Sequence, residues 1–274
     1  MVKSCCSREK TARLLGFAWQ NSSVNPWGIA ASAVVAGAAG LGAYAARYPR
    51  SQLFGPAVFT TDAPGKLAIT FDDGPNPAIT PKLLDLLQRY QAKATFFPVG
   101  KFVRARPDLV KETAARGHLI GNHTETHPYL TFCGPKETHE ELRLCSEAIA
   151  AVLLEPPRWF RPPFGFRSPW LGEIAQQFGM RTVMWTLIPG DWRPKPVEWL
   201  TKRMSSIAEH AQMNAAANKA WAPKSGGDVL CLHDGSFREL NGDRMHTVKA
   251  LEYWLPRWRD LGLEFVTIAD GAGQ

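Results

Sequence analysis

The chain has 274 residues, of which 45% are hydrophobic and 21% are charged, so it can bury one sizeable core. Its net charge of +7 suits anionic partners, but there is no dense Lys/Arg run and no nucleic-acid fold signature, so a nucleic-acid partner is not expected. The five cysteines are odd in number and form no C-x-x-C pair, which excludes a disulfide framework and a zinc ribbon.

The N-terminal region predicts export to the cell envelope. Residues 1–25 are polar and basic, and residues 26–46 carry no charge over about the length of a bilayer span. We predict a cytoplasmic tail or signal-peptide n-region over 1–25, a transmembrane signal anchor over 26–46 and a linker over 47–65. The main domain would then lie outside the cytoplasm, anchored to the membrane. Cleavage near Ala43 to Ala45 would make the protein secreted, and an Ala-rich helix packed on the domain is the alternative.

From residue 66 onward, short apolar runs alternate with amphipathic stretches, which predicts parallel β/α units. About seven units favour a barrel over an open sheet, with functional residues at the C-terminal strand ends. Residues 210–227 fit neither pattern and are predicted to form an extended loop bordering the cleft. Strands are predicted over 67–71, 94–99, 118–122, 158–161, 181–185, 228–233 and 264–268. Helices are predicted over 80–91, 106–116, 137–154, 169–178, 195–210 and 244–260.

Two adjacent carboxylates, Asp72 and Asp73, end the first predicted strand of this alternation, ahead of Gly74 and Pro75. A strand end followed by glycine allows both carboxylates to face one cavity. Such close like charges repel unless one is protonated or a cation lies between them, so a metal site is the first hypothesis. A surface turn is the alternative, because Asp, Gly and Pro are ordinary turn residues.

The third predicted strand is followed by His123 and His127, four residues apart. Alone, this spacing is also found in surface histidines. With one carboxylate of the Asp72–Asp73 pair, it forms a set of two histidines and one carboxylate with open coordination positions. The second carboxylate is then available as a general base.

Three later strand ends also carry polar residues. Arg161 follows the fourth strand and can orient a carboxylate through paired hydrogen bonds. Asp191 follows the fifth and can pair with Arg161, and His233 ends the sixth and can protonate a leaving amine. Taken singly, these residues also fit a Pro-rich turn with a surface arginine and a structural histidine.

In this order, the strand-end motifs DD, H-x-x-x-H, R-P-P-F-G, D-W and L-H-D closely resemble the polysaccharide deacetylase family (carbohydrate esterase family 4, the NodB homology domain). The resemblance assigns residues 66–270 to a catalytic domain with an α/β fold, a distorted (β/α)7-8 barrel. It implies metal-dependent hydrolysis of N-acetyl groups from an N-acetylglucosamine-containing polysaccharide: peptidoglycan, a chitin-like oligosaccharide or poly-N-acetylglucosamine. The metal would be a divalent ion, zinc first, with cobalt or another ion as alternatives.

The resemblance also implies roles for individual residues. Asp73, His123 and His127 match the metal ligands, and Asp72 matches the base that deprotonates the attacking water. Arg161 matches the residue that orients this base.

On the substrate side, His233 matches the general acid, and Asp191 the partner of the arginine or of the histidine network. A backbone N–H near Tyr129 would be a second oxyanion donor. Phe164 and Trp192 would be pocket walls, beside Cys231 and Leu232.

The sequence departs from the family's motifs at two positions. Ile188 replaces the first Asp of a D-x-x-D-W motif, and Cys231 replaces the leucine under the acetyl methyl group. Neither change removes a ligand, the base or the acid. The rival functions are an O-acetyl esterase acting on acetylated glycan and an inactive, envelope-anchored glycan-binding domain. An inactive domain would be expected to have lost a metal ligand, the base or the acid, and all of these residues are present.

Overall fold

The computed structural model describes residues 26–217 and 226–272, so the predicted N-terminal tail lies outside the described residues. The chain divides into two compact units, residues 1–42 and 43–274. Helix α1 (Pro26–Arg47) covers the segment predicted as an anchor. No helix in the described part of the chain has both the length and the apolarity needed to cross a membrane. The anchor over residues 26–46 stays a prediction.

The larger unit alternates strands and helices much as the sequence predicts. The strands are β1 (Ala57–Val58), β2 (Lys66–Asp72), β3 (Ala94–Phe97), β4 (Leu119–Ile120), β5 (Trp159–Phe160), β6 (Arg181–Val183), β7 (Asp228–His233) and β8 (Glu264–Phe265). The helices after α1 are α2 (Thr80–Arg89), α3 (Gly100–Ala105), α4 (Pro107–Ala115), α5 (Pro135–Leu153), α6 (Leu171–Gln177), α7 (Val197–Ala217), α8 (Met245–Asp260) and α9 (Ile268–Gly271). Helices α2, α4 and α5 each have proline in the first turn, where the missing N–H costs no hydrogen bond.

The strands form a parallel ring whose closure is uneven. One sheet has the order β4-β3-β2-β7 and the other contains β6 between β1 and β5. Single parallel bridges join the two sheets, Asn122 to Phe160 on one side and Leu187 to Leu230 on the other. Strand β8 pairs with the start of β2. This arrangement is the predicted distorted barrel, with both joints reduced to one residue pair.

The period of two along β2 separates the core into an outer and an inner layer. Leu67, Ile69 and Phe71 pack outward against the helices. Ala68 packs inward with Val183 and other interior side chains. Polar side chains that follow this inward face are therefore directed to the mouth of the barrel.

One predicted element is wrong and three were missed, among them the four-residue helix α9. The loop predicted over residues 210–227 is helical through Ala217, because α7 continues across an alanine-rich stretch that favours helix. Strand β1 lies inside the segment predicted as a linker, and α3 was not predicted. All three missed elements are too short to give a periodic pattern.

Candidate active site

Strand register places four polar or reactive side chains at one end of the barrel. Strands β2 and β7 pair directly, with Thr70 opposite Cys231 and Asp72 opposite His233. All four residues lie on the inward-facing positions of their strands, because side-chain direction alternates along each strand. The sequence alone predicted that Asp72 and His233 end strands, and the register now makes them neighbours.

The segments that follow β2, β4 and β5 have unusual backbone conformations at residues other than glycine. Asp73, Thr124, His127 and Phe164 have φ values of 71°, 67°, 64° and 57°. Such left-handed conformations persist only where the surroundings hold them, and they concentrate at functional sites. Three of these four residues are among those singled out from the sequence.

Asp73, His123 and His127 converge on one buried point. Asp73 Oδ1 lies 3.6 Å from His123 Nε2 and 3.2 Å from His127 Nε2. His123 Nδ1 is 2.7 Å from the Arg161 carbonyl oxygen, which can only accept, so Nδ1 carries the proton and Nε2 presents its lone pair. Asp73 Oδ1 is buried and has no hydrogen-bond partner. The donor set therefore fits a divalent cation.

The electrostatics of this cluster favour the same interpretation. Burial raises the pKa of Asp73, and repulsion by Asp72 adds to the rise, although His233, His123 and Arg244 partly oppose it. Burial, helped by His123, lowers the pKa of His127 to about 2, so the ring is neutral and able to ligate. A cation among the three side chains would relieve both the carboxylate repulsion and the unsatisfied oxygen.

Asp72 is held in its ionised form beside this cluster. Its Oδ1 accepts a hydrogen bond of 2.8 Å from Arg161 Nη1, and its Oδ2 lies 3.3 Å from the Cys231 thiol. Burial opposes ionisation of Asp72, but the charge of Arg161, helped by His123 and His233, outweighs it and lowers the pKa. The arrangement leaves a fixed, buried carboxylate of low pKa at the mouth of the barrel.

Arg161 is fully buried and is fixed by more than its carboxylate partner. It donates hydrogen bonds to Thr70 Oγ1 at 2.6 Å and to the Met184 carbonyl at 3.2 Å, and it lies 4.5 Å from the Phe97 ring centroid. Ile188 stands where the family motif has a second carboxylate. Among the described residues, Asp72 is accordingly the one carboxylate paired with Arg161.

His233 is oriented by Asp191, so the structure assigns Asp191 to the histidine and not to Arg161. His233 Nδ1 lies 2.8 Å from Asp191 Oδ1, and the His233 backbone N–H donates to Oδ2 at 2.8 Å. Thr247 Oγ1 donates to the same Oδ2 at 2.9 Å, and His246 Nε2 lies 2.7 Å from the Asp191 carbonyl oxygen. Burial lowers the pKa of His233, but Asp191 outweighs it and raises the pKa to about 9. The imidazolium can therefore donate a proton.

Exposed aromatic rings border the site. Tyr129 and Phe164 stack with ring centroids 4.0 Å apart, and Phe164 meets the His127 ring edge-on at 4.5 Å. Trp192 meets the His233 ring at 5.6 Å. The exposed rings of Phe164 and Trp192 therefore lie against His127 and His233, respectively.

The two remaining predicted binding residues differ in placement. Cys231 faces inward beneath Asp72. Leu232 was predicted to contact substrate, and this is wrong: it lies on the outward face of β7 and packs in the helix-covered core, because neighbouring residues of a strand point to opposite faces.

Phe237, Thr247 and His246 are three residues of the site that the sequence analysis did not identify. Phe237 stacks face to face on His127 with centroids 4.2 Å apart, and Lys101 Nζ donates to the Phe237 carbonyl at 2.7 Å. Thr247 and His246 hold Asp191 from the start of α8. An aromatic residue four places after His233 was the available signal for Phe237, whereas nothing local identified the other two.

The chain is similar to known proteins in sequence and in fold. A family described as polysaccharide deacetylase matches residues 60–183. A peptidoglycan-N-acetylglucosamine deacetylase of Bacillus cereus is 36% identical over 204 residues, 74% of this chain and 86% of that protein. A chitooligosaccharide deacetylase of a Bradyrhizobium species is 34% identical over 204 residues, 72% of this chain and 85% of that protein. A crystal structure of a peptidoglycan N-acetylglucosamine deacetylase superposes with a TM-score of 0.68 at 27% identity, covering 79% of this chain and 92% of the other.

Proposed function

This chain belongs to the polysaccharide deacetylase family, and we propose that it is a metal-dependent hydrolase that removes N-acetyl groups from an N-acetylglucosamine-containing polysaccharide. The observation that carries the proposal is the juxtaposition of three sets of side chains. A cation-fitting triad (Asp73, His123, His127) lies beside an ionised carboxylate held by Arg161 and an imidazolium held by Asp191.

The triad would hold the cation. Two imidazoles and one carboxylate with open positions suit zinc first, with cobalt or another divalent ion as alternatives. Bound there, the ion supplies Lewis-acid polarisation of the acetyl carbonyl and of the attacking water. Asp73 remains ionised in that state despite its burial, because the cation provides the opposite charge that its unpartnered Oδ1 lacks.

Asp72 takes the proton from the attacking water. Its lowered pKa keeps it unprotonated near neutral pH, and Arg161 fixes the carboxylate through Oδ1. Oδ2 faces the triad, 3.9 Å from His123 Nε2, so the accepting oxygen is on the side where the water must stand. Proton transfer within a positioned pair of this kind contributes about 10² to 10⁴ in rate.

His233 gives a proton to the departing amine. Asp191 keeps the ring protonated and fixes Nδ1, so the proton that is free to leave is on Nε2. The two proton-transfer groups have opposite charge states at the same pH, which is what an acid and a base working in sequence require.

The substrate would lie against the exposed aromatic rings. Phe164 lies against His127 and Trp192 lies against His233, and the faces of these aromatic rings suit sugar rings. The backbone N–H near Tyr129 would be the second donor to the carbonyl oxygen. Cys231 would form the floor near the acetyl methyl group, in place of leucine.

A location in the cell envelope completes the proposal, with the main domain anchored outside the cytoplasm or secreted after cleavage. The support is the uncharged segment 26–46 between basic residues, together with a relative whose name specifies peptidoglycan. Comparing the size of the precursor with that of the envelope-associated form would reveal cleavage.

The test measures acetate released by the full-length, metal-loaded protein from chitooligosaccharide, peptidoglycan and acetylated xylan. We expect release from at least one of the first two, abolished in Asp72→Asn. Release from acetylated xylan alone would instead establish an O-acetyl esterase. Bound metal without release from any of the three would overturn the proposed hydrolysis and favour the inactive glycan-binding domain. Metal content of the His123→Ala/His127→Ala protein tests the triad separately, since undiminished binding would refute it.

A further inference from the structure

The rings of the two proposed histidine ligands are held in place by different contacts. His123 is fixed by a hydrogen bond, since its Nδ1 lies 2.7 Å from the Arg161 carbonyl oxygen. His127 Nδ1 is buried and has no hydrogen-bond partner among the described residues. A ligating histidine almost always donates its second ring N–H to a carboxylate, a backbone carbonyl or a water, and that bond sets the orientation of the ring. No described protein group does this for His127.

Two aromatic rings enclose the His127 imidazole instead. The Phe237 ring lies nearly parallel to it, with centroids 4.2 Å apart and an angle of 12° between the planes. The Phe164 ring meets it edge-on, with centroids 4.5 Å apart and an angle of 74°. Stacked and edge-to-face contacts contribute to stability beyond the area that they bury. Together the two contacts restrict how far the imidazole can tilt.

The ring is the part of His127 that still has to be oriented, because its backbone is already fixed. The residue has a φ of 64°, and its N–H donates to Thr124 Oγ1 at 3.1 Å. These contacts place Cβ but do not restrict rotation about the side-chain bonds. To share an ion with Asp73, the ring must keep Nε2 turned toward Asp73 Oδ1, which lies 3.2 Å away.

The chain segment that carries Phe237 is itself anchored beside the triad. Lys101 on α3 donates from Nζ to the Phe237 carbonyl at 2.7 Å. Ser236 and Glu239 form an antiparallel bridge on either side of Phe237. A Cβ on Gly235 would collide with the Asp73 carbonyl oxygen, so glycine lets this segment cross close to Asp73. The Phe237 ring is therefore held against His127 by contacts on both sides.

We propose that Phe237 is a positioning residue for the metal. Its ring replaces the missing hydrogen bond at His127 and keeps Nε2 directed at the ion that Asp73 and His123 share. The inference rests on the proposed function and deepens it, because it names what orients one of the three ligands. Phe237 acts through His127 and takes no part in proton transfer.

The test measures the Kd of the full-length protein for zinc by competition with a chelator, with no substrate present. Phe237→Leu keeps an apolar side chain but removes the flat ring. It should raise the Kd about tenfold, the low end of the loss expected when a group that orients a metal ligand is removed. Zinc should also pass to excess chelator faster. Phe237→Tyr keeps the ring and should stay within about twofold of the unmodified protein.

The matched control is Phe178→Leu. Phe178 is half-buried like Phe237, and its ring centroid lies 4.8 Å from that of His139, a histidine outside the proposed triad. Its replacement should leave the Kd for zinc unchanged. Urea denaturation of the metal-free proteins compares the loss of packing in the two variants. A change in Kd that is confined to Phe237→Leu then reports on His127 and not on general destabilisation.

Three outcomes would overturn the role of Phe237: an unchanged Kd in Phe237→Leu, an equal loss in Phe237→Tyr, or the same loss in Phe178→Leu. Each leaves the proposed function standing if the unmodified protein releases acetate and His123→Ala/His127→Ala loses zinc. An unchanged Kd in His123→Ala/His127→Ala would overturn the triad, and the role of Phe237 with it.

Discussion

Replacing Cys231 by serine and by alanine isolates one contact of the proposed base. The thiol lies 3.3 Å from Asp72 Oδ2, in a fully buried position, while Arg161 occupies Oδ1. Serine keeps a donor at the same place, and alanine removes it with little change in bulk. The family pattern has leucine here, so this donor is a property of this chain.

The magnitude follows from the charge of the acceptor. Hydrogen bonds to ionised groups contribute about 1.5–3 kcal/mol, and a thiol, as a weak donor, belongs at or below the low end. We expect Cys231→Ala to lose about 1–1.5 kcal/mol of stabilisation of ionised Asp72, which lowers kcat roughly five- to tenfold at a pH on the acid limb, where the ionised fraction limits the rate. Cys231→Ser should stay within about threefold, since it preserves a hydrogen bond of comparable strength.

The pH profile separates this effect from a loss of packing. A hydrogen bond to the charged form lowers a carboxyl pKa, so its removal should raise the pKa of Asp72. Because the base acts when deprotonated, the acid limb of kcat should move to higher pH in Cys231→Ala and stay in place in Cys231→Ser. The assay is acetate release with saturating metal, over a pH range that extends below 3.8, the ordinary value from which the pKa of Asp72 is lowered, alongside urea denaturation. Equal kcat in the two variants, or an unmoved acid limb in both, would refute the reasoning.

Three further predictions follow from buried charges. Arg161→Gln should lower the free energy of unfolding by about 3–5 kcal/mol, because it leaves Asp72 buried without its charged partner, and Arg161→Lys should lower it by less. Urea denaturation measures both losses. Equal losses in the two variants would contradict the idea that the positive charge at this position stabilises the fold. Asp191→Asn should lower the pKa of His233 from about 9, because the Asp191 carboxylate is what outweighs the effect of burial on this histidine. The alkaline limb of the pH profile of kcat should therefore move to lower pH. An unchanged limb would exclude His233 as the general acid. Burial, with nearby cations, lowers the pKa of His118 from 6.5 to about 4, so its contribution is present above pH 6.5 and lost as the pH falls toward 4. We expect the free energy of unfolding of the unmodified protein to fall by about 2 kcal/mol by pH 4 because of His118. This loss should be absent from His118→Asn, which keeps an acceptor for the Ala94 N–H. Parallel curves of unfolding free energy against pH for the two proteins would disprove the prediction.

The sequence predicted the alternating strands and the residue types at their ends. Five motifs in a fixed order indicated the family. The alternation of side chains along β2 and β7 places Asp72 and His233 at the same end of the barrel. Helix and strand bounds mostly follow from the same local patterns. The error at residues 210–217 came from expecting a loop where alanine-rich sequence favours helix.

Pairings between distant segments were decided only by the tertiary structure. From the sequence, Asp191 was an equal candidate for Arg161 and for His233, and the fold brings it to the histidine. The single-residue joints of the ring, and the register of β2 against β7, determine which side chains share a cavity.

A contact specific to this chain arises in the same way. The Cys231 thiol lies against Asp72 because their strands pair directly. A local pattern of residues specifies which face of a strand or helix a side chain is on. It does not specify the distance to a segment far away in the chain, because that distance depends on how all the strands close around one core.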